Sequence, residues 1–429
     1  MEVYYQALHN DPSFQAAHGT YLANSEAVPQ AKANLLPNLS ASNSLSRYAN
    51  QGDVNQVITS GDQSVNQNSF SITATQPVFN YASWMTFKQA KDSVKSAEAS
   101  YNAAAQDLIV RVGQAYLGVL QAKDTLRYTQ AQKRALERQM NQAQQRYKVG
   151  LSTMTEVYQA QAQYDAMAAQ EISDKNTLYI QFQTLTTLTN KSYSSIAPLK
   201  KGTVPLIRPI PDNPGTWVEK SKTQNYSLLS AKYAMEVARK NIKIQQGGHY
   251  PTLSLEGEYD NLSNDATASS DPTGQNTAIS LNLSIPIYQG GLINSLTRQA
   301  QYEFETAAAN FQNTYLNTLV STKNAYNTLI VSINQIKADD RAIMSAQNSV
   351  TSTDSQFQAG IATMVDVLNT QQQLYQAQTN KATDQYAYIN AILSLKQAAG
   401  TLSLHDLQEL NTWLDNNPKH AIYDNEEIE

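Results

Sequence analysis

The chain has 429 residues, of which 41% are hydrophobic and 16% charged, with a formal charge of −5 and no cysteine. This balance supports a folded protein with a polar, weakly charged surface. It excludes disulfide and thiolate chemistry and gives no basic footprint for nucleic acid. No run of about 18 apolar residues occurs, so no transmembrane helix is expected. The five histidines, His9, His18, His249, His405 and His420, lack ligand spacing, and no nucleophile or phosphate-loop motif appears. Neither an enzyme nor a cofactor or metal site is therefore expected.

In chain order, MEVYYQAL starts inside an amphipathic helical pattern with no signal sequence before it, as a processed chain would. A hairpin follows over 37–79. Its second arm, SFSITATQPVF (69–79), sets Phe70, Ile72, Ala74 and Val78 against Ser69, Ser71, Thr73 and Thr75, which predicts a strand with one apolar and one wet face. Its partner is LSASNSLSRY (39–48), across a polar loop over 49–67. A helix over 82–148 is predicted from apolar positions at steps of three and four: Phe87, Ala90, Val94, Ala97, Tyr101, Ala104, Leu108, Ala115, Val119, Ala122 and Leu126. That is the 3.5-residue period of coiled-coil packing. Val149, Gly150, Leu151 and Ser152 read as a tight turn, with Gly150 as the helix stop and Thr153 as the cap of a return helix.

Five prolines mark 191–216 as a linker. The pattern then repeats. Strands are predicted around TLSLEGEY (252–259) and AISLNLSIPIY (278–288), with a loop over 260–277. A helix over 290–358 is predicted from Phe304, Ala308, Phe311, Tyr315, Thr322, Tyr326, Leu329, Ile333 and Ile336, then a turn over 359–362. VGLSTMTEVYQAQAQ and AGIATMVDVLNTQQQ match at a separation of 210 positions. The organisation is thus a first repeat over 1–190, the linker, a second repeat over 217–403, and a C-terminal segment over 404–429 whose acidic end is expected to be flexible.

Four strands of about ten residues suit tilted membrane strands, and a membrane sheet must close on itself. One chain supplies too few strands. Two, three or four copies would give about 8, 12 or 16, and the count leaves the choice open. Each long helix could reach roughly 100 Å. A soluble coiled-coil adaptor or scaffold is the competing reading, but it leaves the hairpins unexplained.

The corners QPVFNYASW and SIPIYQGGLINS, the stretches LRYTQAQKRAL and AQAQYD, and the tips RYKVGL and MVDVLNTQQQLY resemble the TolC family of outer-membrane efflux and secretion channels. The resemblance runs from about 1 to 410. It implies a mainly α fold with transmembrane β: a homotrimer whose 12-stranded barrel, four strands per chain, is continued by a helical coiled-coil barrel across the periplasm. It also implies a periplasmic adaptor, an inner-membrane transporter of the RND, ABC or MFS type, contact with outer-membrane lipid, and export of drugs or secreted proteins.

Site residues follow from the same resemblance. Asp366 matches the first of two aspartate rings at the pore constriction, where its copies would concentrate cations, permit cation block and raise one another's pKa. Asn369 replaces the second ring. Phe357 and Ala362 stand where relatives have a tyrosine and an arginine tethering the closed gate to the first tip, here Thr155 and Glu156. That tether cannot form, so the gate must be held by other contacts or less tightly. Val149, Gly150, Leu151 and Ser152, with Ala359, Gly360, Ile361 and Ala362, are the implied adaptor-docking turns. Phe79, Tyr81, Trp84, Tyr288, Gly290 and Gly291 are the implied membrane-interface corners.

Overall fold

The structure is a computed structural model that describes residues 1–50, 63–193, 195–200, 204–264, 274–415 and 422–423. Its first half contains α1 (Glu2–Asn10), α2 (Pro12–Ser25), α3 (Ala27–Ala33), β1 (Asn38–Asn50), β2 (Gln63–Phe79), α4 (Tyr81–Lys148) and α5 (Met154–Thr189). The short β3 (Ser195–Ile196) lies in the linker. The second half contains α6 (Pro214–Gln224), α7 (Tyr226–Gln246), β4 (Thr252–Asn264), β5 (Gly274–Ser284), α8 (Leu292–Gln358) and α9 (Met364–Ala398), followed by α10 (Leu404–Asn411) and β6 (Ile422–Tyr423). Two compact units result, Tyr21–Glu98 with Ser230–Gln312, and Met1–Thr20 with Ala99–Leu229 and Asn313–Glu429.

The first of these units holds an antiparallel sheet in the order β1-β2-β4-β5. Its register gathers the large apolar side chains on one face. There Leu39 and Ala41 of β1 lie level with Ala74 and Ile72 of β2, Leu45 and Phe70 stand opposite Asn68 and Asn43, and Leu253, Leu255 and Tyr259 of β4 are followed by Ile279, Leu281 and Leu283 of β5. On the other face serines, threonines and asparagines face one another, as in the 2.8 Å contact between the Ser42 and Ser71 hydroxyls. Alternation with period two produces this partition, and a one-residue slip would invert it. The apolar face stays in the open: Ile279 is 81% and Leu45 79% exposed. Outer strands β1 and β5 each have one unpaired edge in a single chain.

The strands run further into the predicted loops than alternation alone suggests, because β2 begins at Gln63 and β4 continues to Asn264. The rest of those loops, 51–62 and 265–273, lies outside the described residues. At the other end β5 stops at Ser284, four residues before Tyr288, and Pro286 accounts for the loss of ladder pairing. A bulge between Pro77 and Phe79 shifts the β2–β4 register. In unbroken register Phe79 would sit with Thr73 and Thr75 on the wet face. The bulge instead pairs it with Leu253 and returns its ring to the apolar face.

In the other unit, α1 and α2 pack Tyr4, Ala7 and Phe14 against Leu108, Ile109 and Val112 of α4. A larger core joins Val119, Leu120 and Leu126 of α4, Leu178, Phe182 and Leu185 of α5, Tyr326, Leu329, Ile333 and Ile336 of α8, and Tyr386, Tyr388 and Ile389 of α9. The predicted seam is buried from Leu108 to Leu126 and from Thr322 to Ile336, but Phe87, Val94, Ala97, Tyr101, Ala104, Phe304, Ala308, Phe311 and Tyr315 are only half-buried. The linker is shorter than its proline content indicates. Pro214 begins α6, capped by the Asn213 side chain, because proline at the first helical turn lacks only a donor that has no partner there. The Tyr388 hydroxyl holds the linker by accepting from the Ile207 N–H at 2.8 Å and donating to the Pro205 carbonyl at 3.0 Å. The C-terminal segment is not wholly free, since β6 pairs with β3.

Candidate functional site

Both predicted tips form, and by the same device. Gly150 and Gly360 adopt φ of 74° and 75°, a region where a Cβ is strained and glycine is not. Leu151 N–H donates to the Arg146 carbonyl at 2.8 Å and Gly150 N–H to the Tyr147 carbonyl at 3.0 Å. Ile361 and Gly360 repeat this with Gln356 and Phe357 at the same distances. These paired bonds satisfy carbonyls that the helix end leaves open. Thr153 and Thr363 then cap α5 and α9, as predicted. Of the predicted docking residues, Val149, Leu151 and Ile361 are 69%, 68% and 79% exposed. Gly150, Ala359 and Gly360 are exposed, and Ser152 and Ala362 are half-buried.

Asp366 is the N3 residue of a capping box. It accepts from the Thr363 N–H at 2.8 Å and from the Thr363 hydroxyl at 2.6 Å. Those bonds, the hydroxyl first, hold its pKa below the ordinary value, because donors aimed at the carboxylate favour its charged form. Within one chain this opposes the mutual rise expected of a carboxylate ring. The motif Thr363-Met-Val-Asp366 already spelled the box in sequence. Glu156 occupies the equivalent position in the first tip but accepts from the Ser152 hydroxyl at 2.6 Å instead. Thr155 and Asn369 are exposed, whereas Phe357 is buried.

Phe357 is 4% exposed, in one buried cluster with Leu136 and Ala143 of α4, Val157 and Ala160 of α5, and Met364, Val367 and Leu368 of α9. Ala362 packs against the same cluster. The guanidinium carbon of Arg146 lies 4.8 Å from the centre of the Phe357 ring, within range of a cation–π attraction. Where relatives are implied to use polar links, this chain packs a buried aromatic under an arginine. Further along the helices, the buried Thr129 hydroxyl donates to Asp174, Gln170 donates to the other Asp174 oxygen at 2.8 Å, and the Tyr375 hydroxyl lies 3.1 Å from that of Thr129. Three helices, α4, α5 and α9, are tied at that level. Neither the Arg146 contact nor this network is legible from residue spacing, since both depend on which helix faces which.

Asp339 of α8 lies against Asp384 of α9, with Asp340 ion-paired to Lys381 at 2.6 Å. Burial, then the shared proton with Asp384, pushes Asp339 up to about 6. An acid whose folded pKa is raised contributes stability that is full below its unfolded value near 3.8 and lost as pH rises through about 6. Lowering pH from about 7 to 5 is therefore expected to slow amide exchange of α8 and α9 around this pair, after correction for intrinsic rates. Asp339→Asn should remove that pH dependence. Exchange with the same dependence in the variant would refute the assignment.

At the corners, Tyr81 and Tyr250 rings stand 4.9 Å apart. Phe79 and Trp84 are about half exposed, and Tyr288 is 85% exposed. Gly290 and Gly291 both take positive φ, 61° and 84°, where the chain turns into α8. On the wet face of the sheet, Glu256, Glu258 and Asp260 follow one another along β4, opposite Thr75, Thr73 and Ser71. Among the described side chains of that face they are the only charged ones. Among the described residues, no helix is long and apolar enough to cross a membrane.

The family sequence pattern described as "Outer membrane efflux protein" matches residues 3–191 and 217–401, one stretch per repeat. The chain is 34% identical over 418 residues to outer membrane protein TolC of Vibrio cholerae, covering 96% of this chain and 93% of that protein. It is 32% identical over 425 residues to TolC of Escherichia coli K12, covering 96% and 84%. The alkaline protease secretion protein AprF of Pseudomonas aeruginosa is 28% identical over 415 residues, covering 95% and 85%. Among solved structures, the outer membrane protein VceC of Vibrio cholerae superposes with a TM-score of 0.80 at 18% identity, over 93% of this chain and 95% of that one. The Campylobacter jejuni CmeC outer membrane channel gives 0.79 at 19% identity, over 97% and 89%. A coiled-coil scaffold leaves the two-faced sheet and these matches without explanation. With both repeats matched, the protein belongs to the outer membrane efflux protein family and is an export channel of the Gram-negative outer membrane, of the homotrimeric class with a 12-stranded β-barrel and a helical barrel.

Proposed function

We propose that this channel is the exit duct for amphipathic drugs and unfolded secreted proteins, engaged in the periplasm by an adaptor protein and energised by an inner-membrane transporter of the RND, ABC or MFS type. The observation that carries this reading is the pair of tip turns. Each sets exposed apolar residues, Val149 and Leu151 on one and Ile361 on the other, around a positive-φ glycine. The remaining turn residues, Ser152, Ala359 and Ala362, are no larger than serine and leave the backbone open to a partner helix, and apolar anchors beside small residues suit helical recognition. Three copies of the two tips would ring one opening, with Asp366 as its acidic ring and Phe357 and Ala362 holding the hairpins together.

The test is Leu151→Glu with Ile361→Glu, produced in a strain lacking its own export channel. Drug tolerance restored by the unsubstituted chain should fall at least about tenfold, equivalent to about 1.4 kcal/mol of lost docking. The purified variant should keep its single-channel conductance. Unchanged tolerance would mean that the adaptor docks elsewhere.

A further inference from the structure

The first turns of α4 carry a stripe that neither the barrel nor the tips require. Trp84, Lys88, Lys91 and Lys95 recur at steps of four, three and four, which places them on one helix face. Trp84 is 47% exposed, and the three lysines are exposed as well. The lysines point in a definite direction. The Lys88 ammonium lies 5.4 Å from the Trp84 ring centre and the Lys91 ammonium 4.4 Å from that of Phe87, each one turn back towards the sheet. Lys95 reaches the Tyr233 ring of α7 at 5.5 Å. Of the acidic groups nearby, Asp92 is ion-paired with Lys240 of α7 and, at 3.8 Å, with Lys95 of the stripe itself, and Glu236 is paired with Arg239.

Depth follows from helix geometry. At 1.5 Å per residue, Trp84 lies about 4.5 Å and Phe87 about 9 Å along α4 from Tyr81. The headgroup layer beyond the hydrocarbon core is about 5–7 Å thick. The apolar face of β2 ends at Phe79, two residues before α4 begins. Side chains on a helix lean towards its N-terminus, which here is the sheet end. Both ammoniums are thereby held within or just beneath the level of lipid phosphates, with aromatic rings directly above them.

We infer that the Trp84–Lys88–Lys91 face of α4 binds the phosphates of anionic phospholipids in the periplasmic leaflet of the outer membrane. The inference rests on the reading that the strand-to-helix corner lies at the membrane edge. Trp84 supplies an amphipathic ring at the interface, Lys88 and Lys91 supply the charge, and their stems cover the Trp84 and Phe87 rings. Both the apolar face of the sheet and this charge run on from the same corner, so one lipid layer can satisfy both.

The experiment uses the full chain in phosphatidylcholine vesicles containing equal mole fractions of either phosphatidylglycerol or phosphatidylcholine brominated near the headgroup. The Trp84 signal is the fluorescence difference from Trp84→Phe. Brominated phosphatidylglycerol should quench it at least about twofold more than brominated phosphatidylcholine, since one or two lysines near an anionic surface enrich such lipids several-fold. Lys88→Gln with Lys91→Gln should bring that ratio to about one, and Lys148→Gln at the tip should leave it unchanged. Equal quenching by both lipids in the unsubstituted chain would overturn the headgroup assignment while leaving the corner at the membrane. Absence of quenching by either would overturn the placement of the corner itself.

Discussion

Replacing Phe357 by alanine is expected to raise the resting conductance of the channel at least about tenfold. The ring is 4% exposed and belongs to one buried cluster with residues of α4, α5 and α9. Removing a buried phenylalanine costs about 3–5 kcal/mol, and Arg146 would lose the ring beneath its guanidinium. If only about 1.4 kcal/mol of that distinguishes a closed from an open tip, the open population rises tenfold. Phe357→Leu fills most of the space and should give a smaller rise. Single-channel recording decides the matter. A resting conductance unchanged in Phe357→Ala, with helical content retained by circular dichroism, would show that this cluster does not hold the gate.

Neutralising the β4 carboxylates should have the second large effect. Glu256, Glu258 and Asp260 share the wet face of the sheet, and the Glu256 carboxylate accepts from the Asn282 side chain at 2.9 Å. In a closed barrel that face lines the lumen, so a trimer carries three such ladders with no cation among the described residues of the face. Acidic linings of this kind favour cations and concentrate them at the wall. The combined variant Glu256→Gln, Glu258→Gln, Asp260→Asn is expected to lower the cation-to-anion permeability ratio several-fold, measured as reversal potential across a salt gradient. Asp366→Asn should lower it less, because the acidic ring proposed for Asp366 has no second carboxylate at Asn369. A ratio untouched by the triple variant would place selectivity elsewhere.

Much of this architecture was legible in the residues. Period two in SFSITATQPVF and the 3.5-residue seam from Leu108 to Leu126 are local signals, so strands, helices and tips appear where the patterns put them. The Thr153 and Thr363 caps likewise depend only on neighbours in sequence. What stayed hidden is of two kinds. The bulge that turns Phe79 outward, the Arg146–Phe357 stack and the Thr129–Asp174–Tyr375 network arise from register and helix facing, which a single sequence does not encode locally. The role of Asp366 was obscured differently. The resemblance drew attention to a pore, while the capping box Thr363-Met-Val-Asp366 was readable from spacing alone. Gate side chains also differ from those the resemblance implies, and the structure replaces polar tethers with a packed aromatic.

Reconstitution of the purified protein into planar lipid bilayers tests the central claim most directly. An outer-membrane channel of this kind should require detergent for extraction, migrate as a heat-modifiable trimer, and add discrete, cation-preferring conductance steps as single trimers insert. A protein that stays soluble without detergent and leaves the bilayer silent would contradict the account.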